Sequence, residues 1–314
     1  MDSTISIIIP AYNEKDNIEP VYRELSSVLP KTGRPYEILF IDDGSTDQTF
    51  QKMKSLQLED NSVRIIKFRK NFGQSAALQA GFDYASGNIL ITMDSDLQND
   101  PHDIPALIEK IEHEDFDVVC GWRYNRKDPV LKKIFSKMAN SLRKFLTRDL
   151  IHDSGCTLRS YRKECVVDLQ IYGELHRYIP AILQWKGYRI GELEVSHRER
   201  IYGSSKYNWQ RLIKGFLDLI VIAFWQKYST RPMHIFGGVG IILGLTGFFI
   251  SVYLVTERLF FGMGLADRPL FIVGIFMIVI GVQFFAFGIL ADIMLKLYHY
   301  GNGRKNYLVE QVVG

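Results

Sequence analysis

Two long apolar runs in the last third of this 314-residue chain constrain its fold more than any other feature. The first, residues 233–255, has His234 as its only strongly polar side chain, and the second, residues 269–291, carries no charge. A helix of about 20 apolar residues crosses the hydrocarbon layer of a bilayer, because it satisfies its own backbone hydrogen bonds there. The sequence therefore predicts a two-helix transmembrane hairpin, with helices at 232–256 and 269–295 and a loop at 257–268.

The charges around these runs predict how the hairpin is oriented. Residues 197–232 carry seven Lys or Arg against two acids, whereas the loop has no net charge, and the tail at 296–314 adds Lys296, Arg304 and Lys305. Because basic segments stay on the cytosolic side of a membrane, we expect both termini in the cytosol and the loop outside it. The first residues also lack the basic start and apolar stretch of a signal peptide, so we expect a cytosolic first domain.

The segment just before the first run, residues 207–231, has apolar and basic side chains at helical spacing. This pattern predicts an amphipathic juxtamembrane helix that lies in the headgroup layer of the bilayer. An amphipathic helix that packs against the protein itself is the alternative. Aromatic side chains in the two spans suggest a homo-oligomer.

The bulk composition excludes several classes of protein. A formal charge of +3 is too small for a nucleic-acid binder, and 47% hydrophobic residues can supply a folded core. The three cysteines have neither zinc-site nor CxxC spacing, which favours reduced thiols over a disulfide framework.

The first 206 residues alternate short β-rich runs with helix-like stretches. This alternation predicts a mostly parallel sheet with helices on both faces, and ligands bind such sheets at the carboxyl ends of the strands. The predicted strands are Ser6–Ile9, Glu37–Ile41, Val63–Phe68, Ile89–Met93 and Val118–Cys120, and the predicted helices are 16–29, 47–56, 74–85 and 103–113.

Clusters of polar and acidic residues follow three of these strands, at 10–14, 42–47 and 94–98. Each cluster alone is typical of an ordinary turn. Asp94 and Asp96, however, come directly after an apolar core strand, where unpaired carboxylates are costly unless a cation offsets their repulsion. Oxygen ligands favour Mg²⁺ or Mn²⁺ over zinc. The sequence contains no phosphate-binding Gly-x-x-x-x-Gly-Lys loop and no dinucleotide fingerprint, which argues against an ATPase or a nicotinamide enzyme.

Together the motifs resemble the inverting family 2 glycosyltransferases with a GT-A fold, and specifically the polyprenyl-phosphate glycosyltransferases. That branch includes the bacterial bactoprenyl (undecaprenyl-phosphate) glucosyltransferases of O-antigen modification and dolichyl-phosphate mannose synthase. The motifs are Ile-Pro-Ala-Tyr-Asn-Glu (9–14), Asp-Asp-Gly-Ser-Thr-Asp (42–47), Asn-Phe-Gly-Gln (71–74), Met-Asp-Ser-Asp-Leu-Gln (93–98), Gly-Trp-Arg (121–123) and Gly-Ser-Ser-Lys (203–206).

The resemblance implies a role for each motif. Base and ribose of the nucleotide-sugar donor would be held by Pro10, Tyr12, Glu14 and Asp43. Asp94 would lie near the ribose and the metal, while Asp96 and Gln98 would bind the metal that bridges the diphosphate. A loop would close over the donor through Arg200, Ser205 and Lys206.

The acceptor side is predicted from a basic stretch after the fifth strand. Arg123 follows that strand, and Lys132 and Ser136 lie four residues apart, so on a helix they share a face where they can grip a phosphate. The family more often has Arg at the position of Lys132. Asp153 occupies the place of an acid near the acceptor in related enzymes, as either a base or an orienting residue.

The expected activity is transfer of a hexose onto polyprenyl phosphate with inversion, at a bacterial-type inner membrane. UDP-glucose is the expected donor, with GDP-mannose or another UDP-sugar as the alternative. A processive polysaccharide synthase would need a Gln-x-x-Arg-Trp segment and more spans, and this chain has Gln184-Trp185-Lys186 instead. A non-enzymatic membrane module would not need three acidic clusters, and a soluble acceptor leaves the hairpin unexplained.

Overall fold

The β-rich runs assemble into one eight-stranded sheet in a computed structural model. It describes residues 4–124, 151–198, 232–262, 264, 268–300 and 306–314, without the side chains of 232, 292 and 295–300. The strand order is β7-β5-β6-β4-β1-β2-β3-β8. The strands are β1 (Ile5–Ala11), β2 (Tyr36–Asp42), β3 (Val63–Phe68), β4 (Ile89–Thr92), β5 (Val118–Trp122), β6 (Arg159–Arg162), β7 (Ile190–Glu194) and β8 (Val309–Val313).

Six helices accompany the sheet in the described residues between 4 and 198. They are α1 (Ile18–Val28), α2 (Thr49–Glu59), α3 (Gln74–Tyr84), α4 (Ile104–His113), α5 (Lys163–Val166) and α6 (Ile179–Trp185), with short 3-10 turns at Leu29–Thr32, Pro101–Asp103 and Leu175–Tyr178.

The pairing of the strands is mostly parallel, as predicted. Strands β4, β1, β2 and β3 pair in parallel, and so do β5 and β7. Strand β6 runs antiparallel between β4 and β5, and β8 runs antiparallel to β3. All five predicted strands are present, whereas β6, β7 and β8 were not predicted.

The core lies on both faces of the central strands, as expected for a parallel sheet covered by helices. Successive side chains of β1 point to opposite faces, so Ile7 joins the apolar cluster with α1 and α4 while Ile8 joins the cluster with α3. Gly81 permits α3 to pack closely on β1, because a Cβ there would lie 2.2 Å from Cγ2 of Ile8.

A buried polar network ties the amino ends of the strands together. Glu37, at the start of β2, accepts hydrogen bonds from Arg64 Nη1 at 2.6 Å and from the backbone and hydroxyl of Ser86, both at 2.7 Å. The hydroxyl of Ser6 also donates to Glu37. Burial alone would raise the pKa of Glu37, but these donated hydrogen bonds outweigh it and lower the pKa. Glu37 is therefore held as a carboxylate.

The chain divides into two compact units, Met1–Ile222 with Lys305–Gly314, and Ala223–Arg304. The second unit is a hairpin of α7 (Pro232–Phe261) and α8 (Pro269–Tyr300), both long and apolar enough to cross a membrane. Helix α7 continues past the expected boundary at residue 256. The outward-facing side chains are largely exposed Ile, Leu, Val and Phe, which fits lipid better than water.

Glycines bring the two hairpin helices into close contact. A Cβ on Gly240 would lie 2.6 Å from the carbonyl oxygen of Gly281, and one on Gly247 would lie 2.4 Å from that of Gly274. Within each helix these glycines are seven residues apart, so they face the partner helix on every second turn. Small residues let helix backbones approach where apolar burial gives no driving force, as in a bilayer.

Candidate active site

The loops after β1 and β2 are cross-linked through Asn13. The Asn13 side-chain oxygen accepts from the backbone N–H of Thr46 at 2.8 Å, and its own backbone N–H donates to Ser45 Oγ at 3.0 Å. Asn13 has a φ of 56°, a left-handed conformation that Asn tolerates better than most residues. The two loops are joined here, between the predicted donor residues Tyr12 and Glu14. Both of these are half-buried, and Pro10 is buried within β1.

Asp43 holds the turn between β3 and α3. Its two carboxylate oxygens accept from the backbone N–H groups of Phe72 at 2.7 Å and Gly73 at 2.9 Å. Burial raises the pKa of Asp43 to about 6, although the two N–H groups act in the opposite direction. The turn lies so close that a Cβ on Gly44 would be 2.3 Å from the carbonyl carbon of Lys70, and Gly44 has a φ of 67°.

Asp94 and Asp96 follow β4, at the neighbouring strand end. Asp94 accepts from Gln74 Nε2 at 2.8 Å, and Asp96 accepts from the backbone N–H of Gln98 at 3.2 Å. Leu97, which lies between Asp96 and Gln98, has a φ of 61°. This conformation is rare for Leu and marks a constrained loop.

The two carboxylates repel each other. Burial, followed by the charge of Asp96, raises the pKa of Asp94 to about 6. A hydrogen bond from the Thr157 side chain and the positive charge of Arg123 act in the opposite direction. The predicted metal residues are therefore adjacent, and a cation would offset their repulsion.

The predicted acceptor residues Arg123 and Asp153 form an ion pair beside Asp94. Arg123 Nε donates to Asp153 Oδ2 at 2.6 Å, and Arg123 Nη2 donates to Asp153 Oδ1 at 3.0 Å. The side chains are 11% and 7% exposed. Burial tends to lower the pKa of Arg123, but the contacts with Asp153 raise it overall. A Cβ on Gly155 would lie 3.0 Å from Arg123 Nη2, so a small residue fits against the pair.

A second arginine, which the sequence did not suggest, binds the backbone next to this pair. Arg159 in β6 is 3% exposed, and it donates to the carbonyl oxygens of Ser154 at 2.6 Å and His176 at 3.1 Å. Its charge also lowers the pKa of Asp94. Arg159 thus fixes the backbone of Ser154, the residue next to Asp153. The sequence motif at 71–74 did not assign a role to Gln74, whose side chain donates to Asp94.

The segment 196–198 is attached to the loop that follows β4. Arg198 donates from its backbone N–H to the carbonyl oxygen of Gln98 at 2.9 Å, and its guanidinium contacts Glu24 at 2.8 Å and Asp100 at 2.7 Å. The predicted donor residues Arg200, Ser205 and Lys206, and the predicted acceptor residues Lys132 and Ser136, lie outside the described residues.

The oxygen atoms in this loop fit a divalent cation that also binds its substrate. Within the described residues, no group of three His, Cys, Asp or Glu side chains is arranged to hold a metal on its own. Mg²⁺ is commonly bound by one or two carboxylates together with substrate phosphates. Asp94, Asp96 and Gln98 can supply that share of the ligands, with a diphosphate supplying the rest.

The sequence matches known proteins over nearly its full length. Residues 6–169 match the model of glycosyl transferase family 2. The chain is 37% identical to dodecaprenyl-phosphate galacturonate synthase of Rhizobium johnstonii, over 98% of this chain and 92% of that protein. It is 35% identical to undecaprenyl-phosphate 4-deoxy-4-formamido-L-arabinose transferase of Klebsiella pneumoniae, over 98% of this chain and 93% of that protein.

Solved structures with low sequence identity share the fold of this chain over 71% of its length. Glucosyl-3-phosphoglycerate synthase from Mycobacterium tuberculosis, solved with Mn²⁺, UDP and glucosyl-3-phosphoglycerate, has a TM-score of 0.54 at 20% identity, covering 71% of this chain and 80% of that one. A mannosyltransferase from Pyrobaculum calidifontis, solved with GDP-mannose and Mn²⁺, has a TM-score of 0.53 at 17% identity, covering 71% and 67%. The expected GT-A fold is confirmed.

Proposed function

Because this chain belongs to glycosyl transferase family 2, we propose that it transfers a sugar from a nucleotide-sugar donor onto a polyprenyl phosphate. One observation carries the proposal: the acids Asp43, Asp94 and Asp96 and the pair of Arg123 with Asp153 meet at one edge of the sheet. Relatives that match over nearly the whole chain, including the apolar helices, are named as polyprenyl-phosphate sugar transferases.

The donor half of the site lies at the ends of β1, β2 and β4. Asp43 and Tyr12 are proposed to hold the nucleotide. The hydrogen bonds from the backbone of Phe72 and Gly73 fix the position of the Asp43 carboxylate. A Mg²⁺ or Mn²⁺ held by Asp96, with Asp94 and Gln98, would offset the charge that develops on the diphosphate leaving group. Asp96 is 7% exposed, and water would screen a charge interaction at such a buried carboxylate less than one at the surface.

The acceptor half is proposed to use Arg123, held in place by Asp153. A phosphate monoester has a second pKa near about 6, so at neutral pH its oxygen is already an anion and needs little help from a base. Asp153 accepts two hydrogen bonds from Arg123, which fix the guanidinium plane. We therefore assign Asp153 an orienting role. Attack of the phosphate oxygen on the anomeric carbon in one displacement inverts that centre.

The identity of the sugar is a separate question. Glucose was expected from resemblance alone, and the names of the relatives do not support it: they specify galacturonate and 4-deoxy-4-formamido-L-arabinose. We propose that the donor carries a modified pyranose of this kind. The expected link to O-antigen modification stays a prediction.

The protein is proposed to lie in a membrane with its first unit and its tail on the same side. Strand β8 follows α8 in the chain yet pairs with β3 of the first unit. Two helices that each cross the bilayer once return the chain to its starting side, which supports this arrangement. The charge asymmetry favours the cytosol as that side.

A transfer assay tests the proposed activity. Purified protein would be incubated with undecaprenyl phosphate and, in turn, UDP-galacturonate, UDP-4-deoxy-4-formamido-L-arabinose, UDP-glucose and GDP-mannose, each with Mg²⁺ or Mn²⁺. We expect a lipid-linked monosaccharide from at least one donor, and loss of nearly all product with Asp96→Asn or excess chelator.

A matched control is Asp115→Asn, the same chemical change at an exposed carboxylate that pairs with Arg189 on the surface. That variant should retain full activity. No product from any donor, or equal turnover by Asp96→Asn and the control, would contradict the proposal.

A further inference from the structure

The tail after α8 forms part of the first unit, where its strand β8 is the outermost strand of the sheet, next to β3. Strand β8 pairs with β3, and the backbone N–H of Arg69 donates to the carbonyl oxygen of Leu308 at 3.2 Å. Lys67 of β3 forms an ion pair with Glu310 at 2.9 Å. The pairing therefore continues to the last residue of β3 and one residue beyond it, where the turn to α3 begins.

Tyr307 is the buried contact of this tail. It is 4% exposed, and its ring stacks on Phe68 with 5.1 Å between centroids and an angle of 15° between planes. Phe68 in turn meets the ring of Phe72 edge to face, at 5.8 Å and 89°. Aromatic pairs in these two geometries are favourable. A line of three rings therefore runs from the tail into the turn at 69–73.

The same tyrosine also binds the helix on the other side of that turn. Its hydroxyl donates to Asp83 Oδ2 at 2.7 Å, and burial with this carboxylate raises the pKa of Tyr307. Asp83 Oδ1 accepts from Gln79 Nε2 at 2.9 Å, also on α3. Tyr307 thus contacts both elements that flank the turn, β3 through Phe68 and α3 through Asp83.

The turn itself sets the position of a donor-site carboxylate. Asp43 accepts its two hydrogen bonds from the backbone of Phe72 and Gly73. The first residue of α3 after the turn, Gln74, donates to Asp94. A shift of the turn therefore moves the partners of both acids at once. Tyr307 is well placed to prevent such a shift, although it touches neither acid.

We propose that Tyr307 is a positioning residue for the donor nucleotide, and that the tail at 306–313 acts as a brace for the turn at 69–73. This inference rests on the donor site proposed above. It makes nucleotide binding depend on a residue that follows both apolar helices in the chain. Arg123 of the acceptor pair follows β5 directly, and the strand order places five strands between β5 and β8, so acceptor binding should not depend on the tail.

Nucleotide titration of the full-length protein tests the proposal. UDP, and GDP in parallel, would be titrated calorimetrically in the presence of Mn²⁺ into wild type and Tyr307→Ala, and the KM values for donor and acceptor measured beside it. Loss of an aromatic pair and a hydrogen bond to a charged group predicts roughly a tenfold weaker nucleotide affinity and a matching rise in donor KM. The acceptor KM should stay unchanged.

Conservative and control variants separate positioning from general stability. Tyr307→Phe keeps the stack on Phe68 but loses the hydrogen bond to Asp83, so its nucleotide affinity should fall between those of wild type and Tyr307→Ala. Gln311→Ala, at an exposed position of β8, should bind as wild type does. If Tyr307→Ala yields too little folded protein, Tyr307→Leu replaces it, with the same expected loss because it has neither ring nor hydroxyl.

The outcomes distinguish this proposal from the donor site on which it rests. Weaker nucleotide binding by both Asp43→Ala and Tyr307→Ala, with an unchanged acceptor KM, supports it. Weaker binding by Asp43→Ala alone overturns the role of Tyr307 and leaves the donor site standing. Unchanged nucleotide binding by Asp43→Ala overturns both. Equal rises in donor and acceptor KM for Tyr307→Ala would show a general structural effect and also overturn the proposal.

Discussion

Replacing Asp153 with Asn tests whether this carboxylate orients Arg123 or removes a proton during transfer. In the folded protein the two oxygens of Asp153 accept from Arg123 at 2.6 Å and 3.0 Å. Asn keeps the shape of the side chain but has only one acceptor oxygen, and its NH₂ group faces a guanidinium that is also a donor. The variant therefore loses one of the two contacts and the negative charge.

The expected loss follows from the energy of that contact. A hydrogen bond between charged groups is worth about 1.5–3 kcal/mol, and about 1.4 kcal/mol corresponds to one decade, so acceptor kcat/KM should fall by roughly one to two decades. Loss of an obligatory base would lower kcat by about 10²- to 10⁴-fold. The two ranges meet, so the rate alone does not distinguish the roles.

The pH profile does distinguish them. With Asp153 as an orienting residue, the acidic limb of the profile reports the second ionisation of the acceptor phosphate near about pH 6, in wild type and variant alike. Lipid product would be measured from pH about 5.5 to 8.5, with Asp115→Asn as the exposed control and thermal unfolding as the check on folding. One result would refute the orienting role: an unchanged acceptor KM together with a kcat more than about three decades below that of wild type. In that case the kcat of the variant should also increase with pH over the whole range measured.

The hairpin, its loop and the Glu37 network give three further measurable outcomes. A methyl group on Gly281 would lie 2.6 Å from the facing helix backbone, whereas one on Gly244 meets nothing within 4 Å. Gly281→Ala should therefore destabilise the hairpin in detergent by about 1–3 kcal/mol and Gly244→Ala should not; equal unfolding of the two variants would argue against close packing. A cysteine at Gly264 should react with an impermeant thiol reagent in intact cells and one at Gln311 should not, and the reverse pattern would disprove the orientation. Glu37→Gln should cost about 1–3 kcal/mol at neutral pH. The folded-state pKa of Glu37 lies below its ordinary value of 4.5. The difference in unfolding free energy between wild type and Glu37→Gln should therefore be complete above pH 4.5 and shrink as the pH falls through the folded-state pKa. A difference in denaturant unfolding that does not depend on pH would be inconsistent with this expectation.

The predictable part of the site is the part that sits on uninterrupted strands. Strands β1, β2 and β4 are mostly apolar, and each is followed at once by polar residues, so their carboxyl ends could be located from the sequence. Parallel pairing then brings those ends together, which is why Asp43, Asp94 and Asp96 are found at one edge as expected. The local pattern and the overall fold agree here, as they do in sequences that fold reliably.

The unpredicted part depends on contacts between distant segments. The sequence suggested Arg123 and Asp153 separately, but their pairing joins residues 30 apart through the antiparallel placement of β6. Strand β6 itself reads Arg-Ser-Tyr-Arg, which has no apolar alternation, and Arg159 is buried there because backbone carbonyl groups accept from it. The short run Val309–Val313 comes soon after the basic residues Arg304 and Lys305, and only its pairing with β3 makes it a strand.

The position of β8 in the chain also imposes an order on biosynthesis. The ribosome makes β1–β7 first, then both apolar helices, and only then the strand that pairs with β3. Until that moment β3 is an open edge with unpaired backbone groups, the kind of edge that invites pairing with another chain. The first unit can therefore complete its sheet only after the hairpin has been synthesised. A chain whose synthesis stops in the hairpin lacks β8 and leaves one side of β3 unpaired.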